Sequence, residues 1–191
     1  MDYTGTTITL YSSQKDIVYQ TIKRDGVCYS KPEYVQKKYA ESAQIFLTAY
    51  NWFSKTATRL VPKPEGAEFP YWAFADLYVV GQSDDGHILK LEVPKDEVIL
   101  FDMYDWNQIM QMHYMAESEA ERKQFYQELE ACGIRRNDVM FTNFYPEQKQ
   151  RILKSWERLF RHHEQILEGS LEGVGSVQAG LWRIKEEWIV E

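Results

Sequence analysis

The sequence predicts an α+β domain, a central mixed or antiparallel sheet with helices packed on it. Three observations point there. Strand-like and helix-like segments follow one another in mixed order, and two neighbouring strand segments are joined by the turn Gly81-Gln-Ser-Asp-Asp-Gly86, the pattern of a hairpin. The chain has 191 residues, 44% hydrophobic and 27% charged, which suits one globular domain over 1–191. A chain of this size buries about 70% of its extended surface on folding and needs no staple. Finally, aromatic residues reach 15% and crowd into Phe69-Pro-Tyr-Trp-Ala-Phe74 and the stretch from Leu91 to Trp106. So specific a run marks the centre of a domain or one wall of its pocket. Trp and Tyr pair a large apolar face with a polar tip, so their surplus suits half-dry places such as clefts and interfaces.

Each element has its own local reason. Thr6 to Tyr11 alternates and is rich in β-branched residues, which predicts a strand. Ser12 or Ser13 is expected to cap a short helix with Asp16 in its first turn, Gly26 past its end, and Ile17, Val18 and Ile22 as its stripe. Val27 to Tyr29 reads as a second short strand. Ser30-Lys-Pro-Glu33 is a helix start. The helix that follows runs, with a break, to about Leu60 and sets Tyr39, Ala43, Phe46, Leu47, Tyr50, Phe53, Ser54 and Ala57 on one face. The prolines and glycine of 61–66 end it.

Tyr71 to Val80 is expected as a strand, with Ile88 to Val93 as its antiparallel partner. In that partner Leu89, Leu91 and Val93 point one way, and Ile88, Lys90 and Glu92 the other. The unbroken apolarity of Val98 to Phe101 suggests a central strand. Asp102 or Asp105 caps the next helix, with Trp106, Ile109 and Met110 on its face. Ser118 and Glu121 form a capping box for a helix that turns Phe125, Leu129 and Cys132 inward and stops at Gly133. A loop holds Asn137 and Asp138. Pro146 opens a helix with Ile152, Leu153, Trp156, Leu159 and Phe160 as its stripe. After a glycine-punctuated loop, Ser176 to Ile184 forms a last strand and Glu187 to Glu191 a short edge.

Charge and cysteine usage narrow the function classes. Twenty-nine acidic residues against 22 basic give a net charge of −7, which argues against a nucleic-acid partner. The pairs Lys37-Lys38 and Arg135-Arg136 read as solvated faces. Cys28 and Cys132 form no CxxC and no disulfide framework. No signal-peptide pattern and no membrane-spanning run is present, so a cytoplasmic protein with reduced thiols is expected.

No established catalytic motif appears. HExxH, zinc-finger spacing, a phosphate loop and a GxSxG elbow are all absent, and no metal is expected. His113 reads as a packing residue, His162-His163 as favourable charge at a helix end, and Cys28 as a small buried residue. Glu92 is the weak catalytic candidate. On the solvent face of a sheet it is ordinary, but beneath the long aromatic helix it would become a shielded carboxylate with a raised pKa. Gln178 and Trp182 share one face of the last strand, a pairing suited to a planar, hydrogen-bonding ligand.

Several of these stretches occur together in one family. Leu10-Tyr11-Ser-Ser-Gln14, Tyr50-Asn-Trp52, Pro70-Tyr-Trp-Ala-Phe74, Leu91-Glu-Val-Pro94 with Val98-Ile-Leu100, Trp106 and Gln178-Ala-Gly-Leu-Trp182 resemble the bacterial domain-of-unknown-function family 3841 over nearly the whole chain. That resemblance implies no activity. The opening strand through Tyr11, a short helix and Asp25-Gly26-Val27 also resembles the start of ADP-ribosyltransferase-like folds, where the first strand and its neighbour help hold NAD. Those enzymes place a basic residue or histidine on that strand and a glutamate on a late strand. Here Tyr11 or Ser12 and Gln178-Ala-Gly180 stand in those places. Without a carboxylate to steady a developing oxocarbenium charge, transfer from NAD is expected to be slow unless Glu92 or Glu186 substitutes.

The functional expectation is a cleft lined by Tyr11, Trp72, Glu92, Gln178 and Trp182, binding a planar nucleotide-like ligand, with NAD as the cofactor of an enzymatic version. The alternative is a partner-binding module or homo-oligomer that uses its aromatic residues as interface anchors.

Overall fold

A computed structural model describes residues 5–31, 43–81 and 86–190. Its centre is a six-stranded antiparallel sheet in the order β5-β6-β3-β1-β4-β8, so the fold is α+β. The strands are β1 (Thr7–Lys15), β3 (Tyr71–Phe74), β4 (Gly86–Pro94), β5 (Ile99–Asp102), β6 (Val177–Leu181) and β8 (Ile189–Val190). A separate ribbon pairs β2 (Val27–Cys28) with β7 (Ile184–Lys185). The helices are α1 (Asp16–Asp25), α2 (Ala43–Thr56), α3 (Met103–Met110), α4 (Glu119–Ala131), α5 (Arg136–Phe141), α6 (Pro146–Ser155) and α7 (His163–Leu167). A seven-residue 3₁₀ segment, Trp156–His162, joins α6 to α7.

Strand periodicity sorts the core onto two faces. Ile8 and Leu10 of β1 lie opposite Val93 and Leu91 of β4, and all four are fully buried. They join Ala73, Leu100, Ala179 and Leu181 in one cluster, closed over by Ile22 of α1, Ile166 of α7 and the β2–β7 ribbon. The opposite face carries Trp72, Ile99, Phe101 and Trp182, and these pack against α2, α3 and the helices that follow. Gly180 lies on that face, where an added Cβ would stand 2.7 Å from the Phe53 ring. Phe53, fully buried, settles into the notch that the missing side chain leaves.

Several local expectations hold. Gly26 adopts φ 75° and its N–H donates to the Ile22 carbonyl, ending α1. Asp102 accepts the Tyr104 N–H as the cap of α3. Ser118 accepts the Glu121 N–H, while the Glu121 carboxylate reaches back to the Glu117 N–H.

Other expectations are overturned. Ser12 and Ser13 cap nothing, because β1 pairs with β4 as far as Lys15 and the helix starts only at Asp16. The Ser12 hydroxyl instead donates to the Trp72 carbonyl. Ile17 is 62% exposed, leaving Ile22 to anchor α1. β3 ends at Phe74, since the Asp76 side chain accepts the Tyr78 N–H and turns the chain outward. The 71–80 segment and β4 therefore make no hairpin, and each pairs with β1 instead. Val98–Phe101 does not form a central strand: β5 is an edge, continuously apolar because both of its faces are covered. Asn137 and Asp138 belong to helix α5, and Cys132 is exposed. At the expected helix start Ser30-Lys-Pro-Glu33, Ser30 forms an isolated antiparallel bridge with Phe69, while Pro32, Glu33 and Tyr39 lie on 32–42, outside the described residues.

Candidate functional site: one row across the sheet

Register places a single row of side chains across all six strands on the α2-bearing face. Val190, Lys90, Tyr11, Phe74, Gln178 and Phe101 are successive Cα partners on β8, β4, β1, β3, β6 and β5. Adjacent strands lie about 4.8 Å apart, so Tyr11 and Gln178 stand roughly 10 Å from one another with the Phe74 ring between them. Trp72, Gly180 and Ile99 form the neighbouring row. Glu92 pairs with Thr9, two residues along from Lys90 and Tyr11. Even spacing along β6 brings Trp182 to the same side. All five residues expected at the site thus share one face, although they are separated in sequence by up to 171 positions (Tyr11 to Trp182).

They do not share one environment. Trp72 is half-buried, with Tyr50, Phe53, Phe101 and Trp106 ringed about it at centroid distances of 4.7 to 6.1 Å. Its indole N–H donates to the Tyr50 hydroxyl at 2.7 Å. Trp182 is buried, packs on Phe53 and donates to the Val61 carbonyl at 2.9 Å. Both indoles have their polar atom satisfied within the protein, so they build the wall of the region.

The other half of the row is polar. Tyr11 and Phe74 are half-buried, and Lys90 lies beside Tyr11. Glu92 accepts hydrogen bonds from Thr9 Oγ1 at 2.7 Å and Thr7 Oγ1 at 3.2 Å, one to each carboxylate oxygen. Among the described residues, the ring contacts of α2 with this face fall on Trp72, Phe101 and Trp182, the opposite half from Glu92. Glu92 is half-buried, and the two threonine hydroxyls hold its carboxylate in place.

Gln178 marks the boundary between the halves. It is 4% exposed, yet its side-chain amide makes no hydrogen bond among the described residues. Ser54 Oγ is the buried side-chain polar atom without a partner among the described residues, so the Gln178 amide, unpaired but outside that class, keeps a small contact with solvent. An amide offers two donors and an acceptor, so it suits a ligand edge that presents complementary groups. The Tyr11 hydroxyl likewise has no partner among the described residues.

Phe74, Thr7, Thr9 and Lys90 escaped the sequence reading. Period-two spacing reaches both threonines from Tyr11, Phe74 from Trp72 and Lys90 from Glu92, but strand order alone brings Phe74 and Lys90 beside Tyr11. Among the described residues no group of three His, Cys, Asp or Glu is placed to hold a metal ion. No described helix is long and apolar enough to cross a membrane.

Fold and face together define an antiparallel α+β domain with one aromatic-walled, partly polar sheet surface. The chain belongs to the family described as a domain of unknown function, DUF3841, whose profile matches residues 9–190. No curated protein and no solved structure matches it.

Proposed function

We propose that the polar half of this face binds a planar, hydrogen-bonding small molecule of the nucleotide class. The carrying observation is Gln178, an amide at the centre of the row, 4% exposed and without an intramolecular partner among the described residues. In this reading Gln178 addresses the edge of a base, and Tyr11 and Phe74 offer ring faces on one side of it. Trp72 and Trp182 hold the wall rigid, which lowers the ordering penalty of binding. The two cysteines are free, which fits the expected cytoplasmic setting. If the ligand is NAD and reaction follows, Glu92 is the carboxylate that steadies positive charge as the glycosidic bond breaks, and Thr7 and Thr9 keep it oriented.

The test is calorimetric titration of the wild type and Gln178→Leu with NAD, ATP and GTP. The wild type is expected to bind at least one of them, and the variant to lose that binding at least tenfold. Gln178→Leu replaces an amide that has no hydrogen-bond partner among the described residues, so the free protein should stay within about 1 kcal/mol of wild-type stability. Absence of binding to all three, or a variant that binds as well as wild type, would overturn the proposal.

A further inference from the structure

A second region, sharing no residue with the sheet row, has the makings of an anion site. A cleft of about 740 Å³ opens between the end of α3, helix α4 and the start of α5. Small-molecule sites commonly occupy about 300–1,000 Å³. Arg122, Lys123, Arg135 and Arg136 line it, against the carboxylates of Glu119 and Glu130. The lining is therefore positive in excess, on a chain whose net charge is −7. Arg122 is tied to Glu119. Lys123 and Arg135 have no ion pair among the described residues. Arg136 is held by a ring and not by a carboxylate, its guanidinium 3.8 Å from the Tyr126 centroid, which leaves its in-plane N–H donors available.

His113 completes the lining and is fixed there by its backbone. Its N–H donates to the Gln108 carbonyl at 3.0 Å, and its own carbonyl accepts the Trp156 indole N–H at 2.7 Å. The turn that delivers it passes through Met112 at φ 56°, a left-handed conformation that a side chain other than glycine resists. The His113 imidazole has no hydrogen-bond partner among the described residues. Burial, then Arg136 and Arg122, hold its pKa below the ordinary value. With Arg122 compensated in part by Glu119, Lys123, Arg135 and Arg136 remain without carboxylate partners along the same lining as His113, and an anion seated there offsets their mutual repulsion.

We propose that this cleft binds a phosphorylated small molecule, its phosphate oxygens taken by Arg122, Arg136 and His113 and its approach favoured by Lys123 and Arg135. The Arg135-Arg136 pair, which looked like a solvated face in sequence, becomes one wall of a site.

Inorganic pyrophosphate is the discriminating probe, because it has no base to offer the sheet face. Titration calorimetry should detect its binding to the wild type, weakening as salt rises. The double charge reversal Lys123→Glu/Arg135→Glu, at two exposed positions, should weaken it at least tenfold, while Lys55→Glu and Gln178→Leu leave it unchanged. Pyrophosphate should also raise the His113 imidazole pKa followed by NMR, a shift that a general loss of surface charge would not produce. Wild-type protein that ignores pyrophosphate, or a double variant that binds it normally, would overturn the site. Tighter binding of a single-stranded oligonucleotide than of ATP would overturn the small-molecule assignment.

Discussion

Trp72 and Tyr11 stand on the same face of the same sheet, yet their surroundings differ. Trp72 is enclosed by Tyr50, Phe53, Phe101 and Trp106, and its indole N–H is satisfied. Tyr11 is flanked by Phe74 and Lys90 and keeps a hydroxyl without a partner among the described residues. Among the described residues, the ring contacts of α2 place Tyr50 and Phe53 over β3, β6 and β5. In the dry half, apolar area leaves water and rings meet edge to face, the arrangement that stabilises a fold. In the polar half, Thr7 and Thr9 are engaged with Glu92, while the Tyr11 hydroxyl and the Gln178 amide have no partner among the described residues.

Substitutions that affect the halves unequally test this division. The largest effect is expected from Phe53→Ala. It empties the centre of the dry half, where the ring is fully buried against Trp72, Phe101, Trp106, Phe160 and Trp182. Truncating such a residue costs about 3–5 kcal/mol. Urea unfolding measures it, and a loss as small as that of an exposed residue would erase the distinction.

Gly180→Ala acts on the same contact from the sheet side. Its Cβ would meet Phe53 Cζ at 2.7 Å, and a fully buried ring has nowhere to go. Overpacking of this kind costs about 1–3 kcal/mol. Thermal unfolding should show the loss, and Phe53→Leu in the same chain should recover part of it by reopening the notch.

A third prediction follows the dry half to its edge strand. Leu100 donates its N–H to His163 Nδ1 at 3.1 Å, which occupies a backbone donor that β5 would otherwise leave open. His163 is 4% exposed, and burial holds its pKa below the ordinary 6.5. Its role as a charged helix terminus, expected from sequence, is thereby replaced by that of a neutral acceptor. The unfolded chain takes up a proton that the folded state resists. The His163 contribution to stability is therefore full above pH 6.5 and is lost as pH falls through the window beneath it. Each such proton gives a slope of up to about 1.4 kcal/mol per pH unit. His113, also held low, adds in the same direction. Unfolding midpoints across that window should fall with pH in the wild type and fall less steeply in His163→Leu, which loses stability at every pH by leaving the Leu100 N–H unpaired.

The smallest effect is expected at Gly175. An added Cβ there meets the Tyr104 ring at 2.7 Å, the same closeness as at Gly180. Tyr104, however, is 58% exposed and can swing into solvent. Gly175→Ala should stay within about 0.5 kcal/mol of wild type, the range of surface changes. Equal losses at the two glycines would mean that burial of the opposing ring does not decide the outcome.

Local signals were legible wherever one residue and its near neighbours settle the matter. Gly26 and Gly133 end helices because a left-handed turn favours glycine, and Asp102 and Ser118 cap because a short oxygen-bearing side chain reaches the next turn's N–H. The common side of Gln178 and Trp182 followed from period two alone. The sequence could not say which strands lie side by side. The turn at 81–86 suggested a hairpin, but nine residues of β1 offer β4 a longer ladder than four-residue β3 can. The apolarity of Val98 to Phe101 reported burial on two faces, and a covered edge produces that pattern as well as a central position does.

The amino-acid order by itself determined an α+β fold, the caps at Asp102 and Ser118, the aromatic stripe of α2 and the face on which each strand residue falls, because these depend on periods of two and 3.6 residues and on short-range hydrogen bonds. Only the tertiary structure decided that Lys90, Tyr11, Phe74 and Gln178 form one row, that Gln178 is buried without a partner among the described residues, and that Arg122, Arg136 and His113 line one cleft. Those juxtapositions depend on strand order and helix placement, which emerge from competition among distant pairings across the whole chain.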